Sequence, residues 1–214
     1  MEKHDHLCGA LVERAYAEAG ARHAKAKEAD RAARRELHRV AGAFFSREEA
    51  KRAGKLLSAW PEGGDAALER ILSLHASTRE RLPLAAMDAL YTRLFESTGT
   101  PRRVLDLACG LNPIYLAARG VSVLGLDAHL GAVALVNRFA EENGLDARAE
   151  GCALLERLNA AWVAVSFPTR TLSGRSVGME RNYSAAFEEN CPEKYRIAGR
   201  FVAGNELIYV LKER

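Results

Sequence analysis

No apolar run in the 214 residues approaches the roughly 18–20 needed to cross a membrane, and the opening Met1-Glu-Lys-His-Asp-His6 carries no apolar signal segment. The expectation is a cytoplasmic protein with no membrane partner. Cysteine is sparse and scattered at Cys8, Cys109, Cys152 and Cys191, with no C-x-x-C pair, so neither a zinc knuckle nor a disulfide framework is suggested. His4 and His6 read as a solvated tail, so no metal centre is expected. A G-x-G-x-x-G turn is also missing: Ala108 and Asn112 stand where glycines would cradle a pyrophosphate, which argues against NAD or FAD.

What is present is a strand-turn-helix pattern at Val104-Leu-Asp-Leu-Ala-Cys-Gly-Leu-Asn-Pro113. The apolar residues suit a buried parallel strand, and Gly110 follows where the backbone must turn and let a ligand approach. Val123-Leu-Gly-Leu-Asp127 repeats the plan and ends in a carboxylate. An acid at the carboxyl end of a second parallel strand typically takes ribose hydroxyls. A ligand with a ribose and no phosphates, such as S-adenosylmethionine, fits this pair of turns, and an ordinary α/β domain with a glycine at its strand end remains the alternative.

Charge is uneven. Between Ala21 and Lys55 there are 11 Lys or Arg against five acids, a net +6 in a chain whose total is +3. Such a block is the footprint of a polyanion partner, or simply a solvated helix face. Apolar spacing predicts helices over residues 5–20 and 24–45, with Lys27, Arg31, Arg34 and Arg35 turned away from the second stripe. Ser46-Arg-Glu-Glu49 is a capping box starting a third helix, with Lys51, Arg52 and Lys55 outward, and Pro61-Glu-Gly-Gly-Asp65 is expected to stop it. A fourth helix follows from Asp65 to about Leu74, a second capping box pairs Ser77 with Glu80, and another helix runs from Pro83 to Phe95.

Beyond Asp127 the pattern gives a helix from Gly131 to Asn143, a short strand at 147–149, a helix at 152–158 and a strand at 161–167. A helix at 183–189 and an antiparallel hairpin of 195–202 with 206–211 complete the chain. We therefore expect a helical domain at 1–82, with no low-complexity linker, and a sheet domain at 83–214.

Three blocks taken together resemble the aminoglycoside-resistance methyltransferases of 16S ribosomal RNA. They are His75-Ala-Ser-Thr-Arg-Glu-Arg-Leu82, Val104 to Pro113, and Ser166-Phe-Pro-Thr-Arg-Thr-Leu-Ser-Gly-Arg175 with Gly178-Met and Asn182-Tyr183 after it. The resemblance implies an α/β fold, a class I Rossmann-like methyltransferase sheet behind an all-helical amino-terminal domain. It implies S-adenosylmethionine as cofactor and N7 of a decoding-site guanine in the 30S subunit as target, with aminoglycoside resistance as the result. A monomer is expected.

By that resemblance Arg79 clamps the methionine carboxylate, a bidentate task suited to a guanidinium. Ala108 and Gly110 line the cofactor's methionyl part, Asp127 holds the ribose, and His75 and Asp106 are further cofactor-binding residues. The basic block, with Arg34, Arg35, Lys51 and Arg52, docks on RNA, and Arg170 and Arg175 lie where the target base approaches. Guanine N7 attacks with a free lone pair, so no general base is nominated. Holding base and methyl in near-attack geometry is worth as much as about 7–11 kcal/mol, and Asn112 and Arg170 are the candidates for this positioning role.

The chain departs from the family after the strand at 147–149. There Asp146-Ala-Arg-Ala-Glu-Gly151 runs directly into Cys152-Ala-Leu-Leu-Glu-Arg, where the family has an adenine-side acid and a complete apolar strand. About one βα unit, roughly 30 residues, is absent. The sheet is thus expected to be one strand short, with Trp162 to Phe167 moving over to pair with Val104 to Ala108, and Glu150 replacing the lost acid. The competing expectations are a catalytically inactive RNA-binding relative and a small-molecule methyltransferase.

Overall fold

The computed structural model describes residues 4–39, 44–151, 160–169, 184, 187–188, 191 and 194–214. It divides into two compact units, one formed by Met1–Arg79 with Arg102–Leu155, the other by Glu80–Pro101 with Glu156–Arg214. The helix expected at 152–158 lies outside the described residues. Among those described, no helix is long and apolar enough to cross a membrane.

The first unit begins with α1 (Gly9–Arg22) and α2 (Ala26–Leu37), which pack together through Leu11, Ala15 and Leu37. The acid Asp30 ties the pair on its polar side, accepting from Tyr16 Oη at 3.1 Å and from Arg34 Nε at 3.1 Å. α3 (Arg47–Leu56) starts at the expected capping box: Glu49 N donates to Ser46 Oγ, and Ser46 N donates to Glu49 Oε2 at 2.8 Å. It stops earlier than the sequence suggested, in a short 3-10 turn at Leu57–Ala59. Pro61 then sits in the first turn of α4 (Trp60–Leu72) instead of ending α3. A proline costs nothing there, because the first-turn N–H has no helical acceptor to lose. The break expected of the two glycines appears as a kink at Gly64, which has φ 50°.

α5 (Ala76–Arg79) follows. The second capping box is not formed among the described contacts: Ser77 lies inside α5, and its hydroxyl is 2.9 Å from His75 Nδ1. A local histidine ring competes successfully for the hydroxyl that a cap would need.

A parallel sheet of order β1-β2-β3 completes this unit, built from β1 (Val104–Leu107), β2 (Val123–Asp127) and β3 (Ala147–Gly151). Its crossovers are α7 (Asn112–Ala118) and α8 (Leu130–Asn143). The helices bury Ile114, Leu116, Val136 and Phe139 beside the sheet, and Gly144 ends α8 in the left-handed conformation. Asn137 of α8 bonds the backbone of Ala149 in both directions, donating to its carbonyl and accepting from its N–H. The amide side chain thereby acts as a partner for part of β3 that no described strand supplies.

The second unit holds α6 (Leu84–Thr98) and an antiparallel sheet of order β4-β6-β5, from β4 (Trp162–Pro168), β5 (Tyr195–Ala203) and β6 (Glu206–Glu213). Central β6 is buried on both faces from Glu206 to Leu211. Leu90 of α6 packs on Phe201, Ile208 and Val210, and the other face joins Tyr195, Leu207, Tyr209 and Leu211. A bulge between Ile197 and Gly199 shifts the β5 register.

Among the described residues the six strands form two three-stranded sheets and not the single six-stranded sheet expected. Among the described residues β4 pairs with β6 along its whole length, Trp162 opposite Lys212 to Pro168 opposite Glu206, and β1 pairs with β2 alone. β1 is only four residues long and offers few backbone groups to a further strand, whereas β6 offers β4 a ladder along its whole length. Leu105 of β1 is 44% exposed.

Candidate functional site

The turn after β1 is left-handed at two positions, Ala108 with φ 54° and Gly110 with φ 51°. An alanine at positive φ is uncommon and costs strain, which persists only where the surroundings fix the backbone. Those surroundings are visible. Cys109 N donates to Leu126 O, and Gly110 N donates to Asp127 Oδ2 at 2.7 Å. The other oxygen of Asp127 accepts from His129 N at 2.7 Å. One carboxylate at the end of β2 thus fastens both the turn after β1 and the turn leading into α8. With both oxygens engaged, it still has acceptor capacity for a ligand hydroxyl.

Beneath the turn lies His75, buried between Phe45 and Gly110. A Cβ on Gly110 would stand 2.5–2.8 Å from the imidazole atoms, so glycine is required by closeness as well as by φ. Gly125 of β2 is required in the same way, because a Cβ there would meet Cys109 Sγ at 2.7 Å. On the other side of the turn Asn112, only 3% exposed, donates from Nδ2 to Asp106 Oδ2 at 2.7 Å. Burial, with help from the charges of Asp106 and Asp127, pushes the Cys109 thiol well above its ordinary pKa. The thiol therefore stays protonated and is not a nucleophile.

Arg79, at the end of α5, is loosely held. Its Nη1 lies 3.4 Å from Ser73 O and 3.9 Å from Glu49 Oε1, and its side chain is 52% exposed. A guanidinium so weakly engaged remains available to an external carboxylate.

The structure places the expected cofactor residues His75, Arg79, Asp106, Ala108, Gly110 and Asp127 in one unit, together with Asn112. The expected RNA residues separate into Arg34 and Arg35 on α2 and Lys51 and Arg52 on α3, all exposed, with Arg34 paired to Asp30 at 3.0 Å. Glu150 is on β3 and pairs with Arg148 at 2.9 Å. Arg170 and Arg175 lie outside the described residues.

Sequence reasoning missed the underside of the β2–α8 turn. There Cys8 N donates to Ala128 O at 2.8 Å and Leu130 N donates to His6 O at 2.9 Å, so the segment read as a free tail is bonded to the turn that carries Asp127. His129 is buried against Phe45 and caps α8 through Nδ1, and burial lowers its pKa below the usual histidine value. The available signal was a histidine two residues past the strand-end acid, ahead of a helical run. Among the described residues, no three His, Cys, Asp or Glu side chains gather as metal ligands.

The model of the family "Ribosomal RNA methyltransferase (FmrO)" matches residues 4–141 and 132–210. A 16S rRNA (guanine(1405)-N(7))-methyltransferase of Serratia marcescens is 40% identical over 245 aligned positions, spanning 99% of this chain and 94% of that protein. One of Micromonospora echinospora is 32% identical, spanning 84% of this chain and 81% of its own. Among solved structures, the 16S rRNA methyltransferase RmtF in complex with S-adenosyl-L-homocysteine superposes with a TM-score of 0.88 at 39% identity, covering 98% of this chain and 92% of that one. The 16S rRNA methylase RmtB gives 0.82 at 36%, covering 100% and 94%. The Serratia alignment of 245 positions against 214 residues leaves at least 31 positions with no residue of this chain. The two segments of the family match overlap at 132–141, within α8, so the match is interrupted shortly before the place where the chain is short.

Proposed function

The chain belongs to the FmrO family of ribosomal RNA methyltransferases, and from that membership we propose that it methylates N7 of a guanine in 16S rRNA, using S-adenosylmethionine. The substrate is the assembled 30S subunit, the acting form is a monomer, and the consequence is aminoglycoside resistance. Residues 1–82 dock on the RNA, and the turn after β1 carries the cofactor.

The observation that carries this reading is the strained turn Ala108-Cys109-Gly110, held open by Asp127 at the end of the neighbouring strand. When bound, the cofactor supplies a methyl group on a sulfonium. Arg79, with only weak contacts to leave, takes its carboxylate. Ala108 is exposed at the lip of the turn and gives the backbone close approach. Asp127 keeps its two amide bonds and accepts from the ribose. Two carboxylates at the turn favour a cationic ligand over an anionic one. Asn112 acts by positioning: it fixes Asp106, and through it the start of α7. Arg170 holds the RNA beside the target base. N7 keeps its lone pair at neutral pH, so the residues bind and orient, and none has to move a proton.

A second reading, a catalytically inactive RNA-binding relative, is favoured by the missing strand and the lost adenine-side acid. The test is to incubate the protein with labelled S-adenosylmethionine and 30S subunits and to map the label. Label at guanine N7 supports the enzyme. A folded protein that binds subunits and leaves no label supports the inactive relative.

A further inference from the structure

The sequence places Lys51 and Lys55 four residues apart, and in the structure they form one wall of a groove of about 790 Å³ between α3 and α8. The opposite wall carries Arg138 of α8. The groove exists because the facing positions are small: Ala50 and Gly54 on α3 meet Gly131 and Ala134 on α8. A Cβ on Gly54 would already touch Arg138 Nη1 at 3.5 Å. Lys51, Arg52 and Lys55 are exposed, and among the described residues neither Lys51 nor Lys55 has an acid within ion-pair distance. Arg138 is braced in place, with Nη1 donating to Gly54 O at 3.1 Å and Nε to Glu142 at 2.6 Å, while Nη2 takes part in neither bond.

Stability alone does not favour this arrangement. Like charges at i and i+4 destabilise a helix, and a third cation across the groove adds to the repulsion. A polyanion lying along the groove reverses the sign. The groove is shallow and open to solvent, a form along which an extended sugar–phosphate chain can lie.

We propose that the α3–α8 groove binds the phosphodiester backbone of the rRNA through Lys51, Lys55 and Arg138. This rests on the RNA-methyltransferase reading and deepens it. The docking surface is then not confined to the amino-terminal helices. It continues onto α8, the helix that follows the strand ending in Asp127, so RNA held here is registered directly against the element next to the cofactor turn.

The experiment measures binding of the full-length protein to 30S subunits over a range of salt concentrations, for the wild type and for Lys55→Gln, Arg138→Gln and the double variant. Each lost phosphate contact lowers the slope of log K against log salt by about 0.7–0.9. Each single variant is expected to show that drop, the double variant about twice it, and affinity for S-adenosylhomocysteine is expected to stay unchanged. Lys55→Gln is decisive, since among the described residues Lys55 makes no ion pair that the fold uses. If the wild type binds subunits and Lys55→Gln keeps the wild-type slope, the groove does not hold phosphate and the proposal fails alone. If the wild type neither binds nor methylates subunits, the underlying reading fails. If polyglutamate displaces the subunits as well as polyuridylate does, the groove is a general anion surface and the RNA assignment is overturned.

Discussion

In the parallel sheet the carboxylate Asp127 accepts from the backbone amides of the two turns beside it, while Asp106 accepts from the side-chain amide of Asn112 at the start of α7. In the antiparallel sheet the buried carboxylate Glu206 stands at the start of β6, 6% exposed, and pairs with Arg81 at 3.1 Å. The difference is one of remaining capacity. A carboxylate on backbone amides is only half-buried and keeps lone pairs for a ligand. A carboxylate sealed against a guanidinium has no such freedom, and its role is to orient β6 and the segment before α6. Changes in the first sheet should therefore register as lost ligand affinity, and changes in the second as lost stability.

The largest effect is expected at Asp127. In Asp127→Asn one of the two amide donors faces an NH₂ group, and the charge that strengthened both bonds is gone. Hydrogen bonds to charged groups contribute about 1.5–3 kcal/mol each. Losing this much at the turn should weaken S-adenosylhomocysteine binding by at least about 100-fold, since each 1.4 kcal/mol is roughly tenfold. Calorimetric titration reads the affinity, and a loss under fivefold would break the contrast between the two sheets.

Next comes Arg81→Met, which leaves Glu206 buried without its cation. Breaking such a pair costs about 3–5 kcal/mol, and the partial exposure of Arg81 puts the expectation at the lower end. Chemical denaturation should show that loss, while affinity of the folded protein for S-adenosylhomocysteine stays within about twofold (~0.4 kcal/mol). A large fall in affinity with stability intact would mean that the second unit serves the ligand after all.

How much of this was legible beforehand depends on the reach of each interaction. β1, β2 and the hairpin of β5 with β6 follow from apolar period and turn residues, which act over a few positions, and the Ser46 box is written in four residues. The candidate turn was legible as well, because Gly110 and Asp127 both sit at strand ends. Its construction was not. That Asp127 binds Gly110 and His129, that His75 fills the space below Gly110, and that Gly125 clears Cys109 all depend on segments brought together by folding. Pro61 was misjudged because proline suits a helix start as well as it prevents continuation. The partner of β4 was misjudged because strand pairing is a non-local choice, and β6 already offered β4 a full-length ladder.

Ser46→Ala tests whether a polar group of the first unit can be purely structural. It removes the acceptor for Glu49 N and should cost about 1 kcal/mol. For a chain this size, that is roughly 2–4 °C in melting temperature. Affinity for S-adenosylhomocysteine is expected to hold. A fall would show that α3 positions the turn after β1 through Phe45 and His75.

The smallest effect belongs to Glu49, and it sharpens the contrast most. Burial raises its pKa, but the Ser46 amide and hydroxyl, aided by the charges of Arg79 and His75, outweigh this and leave it below the ordinary value of 4.5. A group whose folded pKa is depressed stabilises the fold above its unfolded pKa and loses that contribution as pH falls through the folded value. Wild-type stability should therefore decline in the window below about pH 4.5, and Glu49→Gln should flatten that part of the profile. The ion pair to Arg79 is long, at 3.9 Å, and more than half of the arginine is exposed, so it adds about 0–1 kcal/mol. If Arg79 takes the cofactor carboxylate as proposed, it gives up Glu49 at little cost, and affinity for S-adenosylhomocysteine in Glu49→Gln should stay level or rise slightly. A tenfold fall would instead make Glu49 the residue that aims Arg79, and its cap and its ligand role would be inseparable.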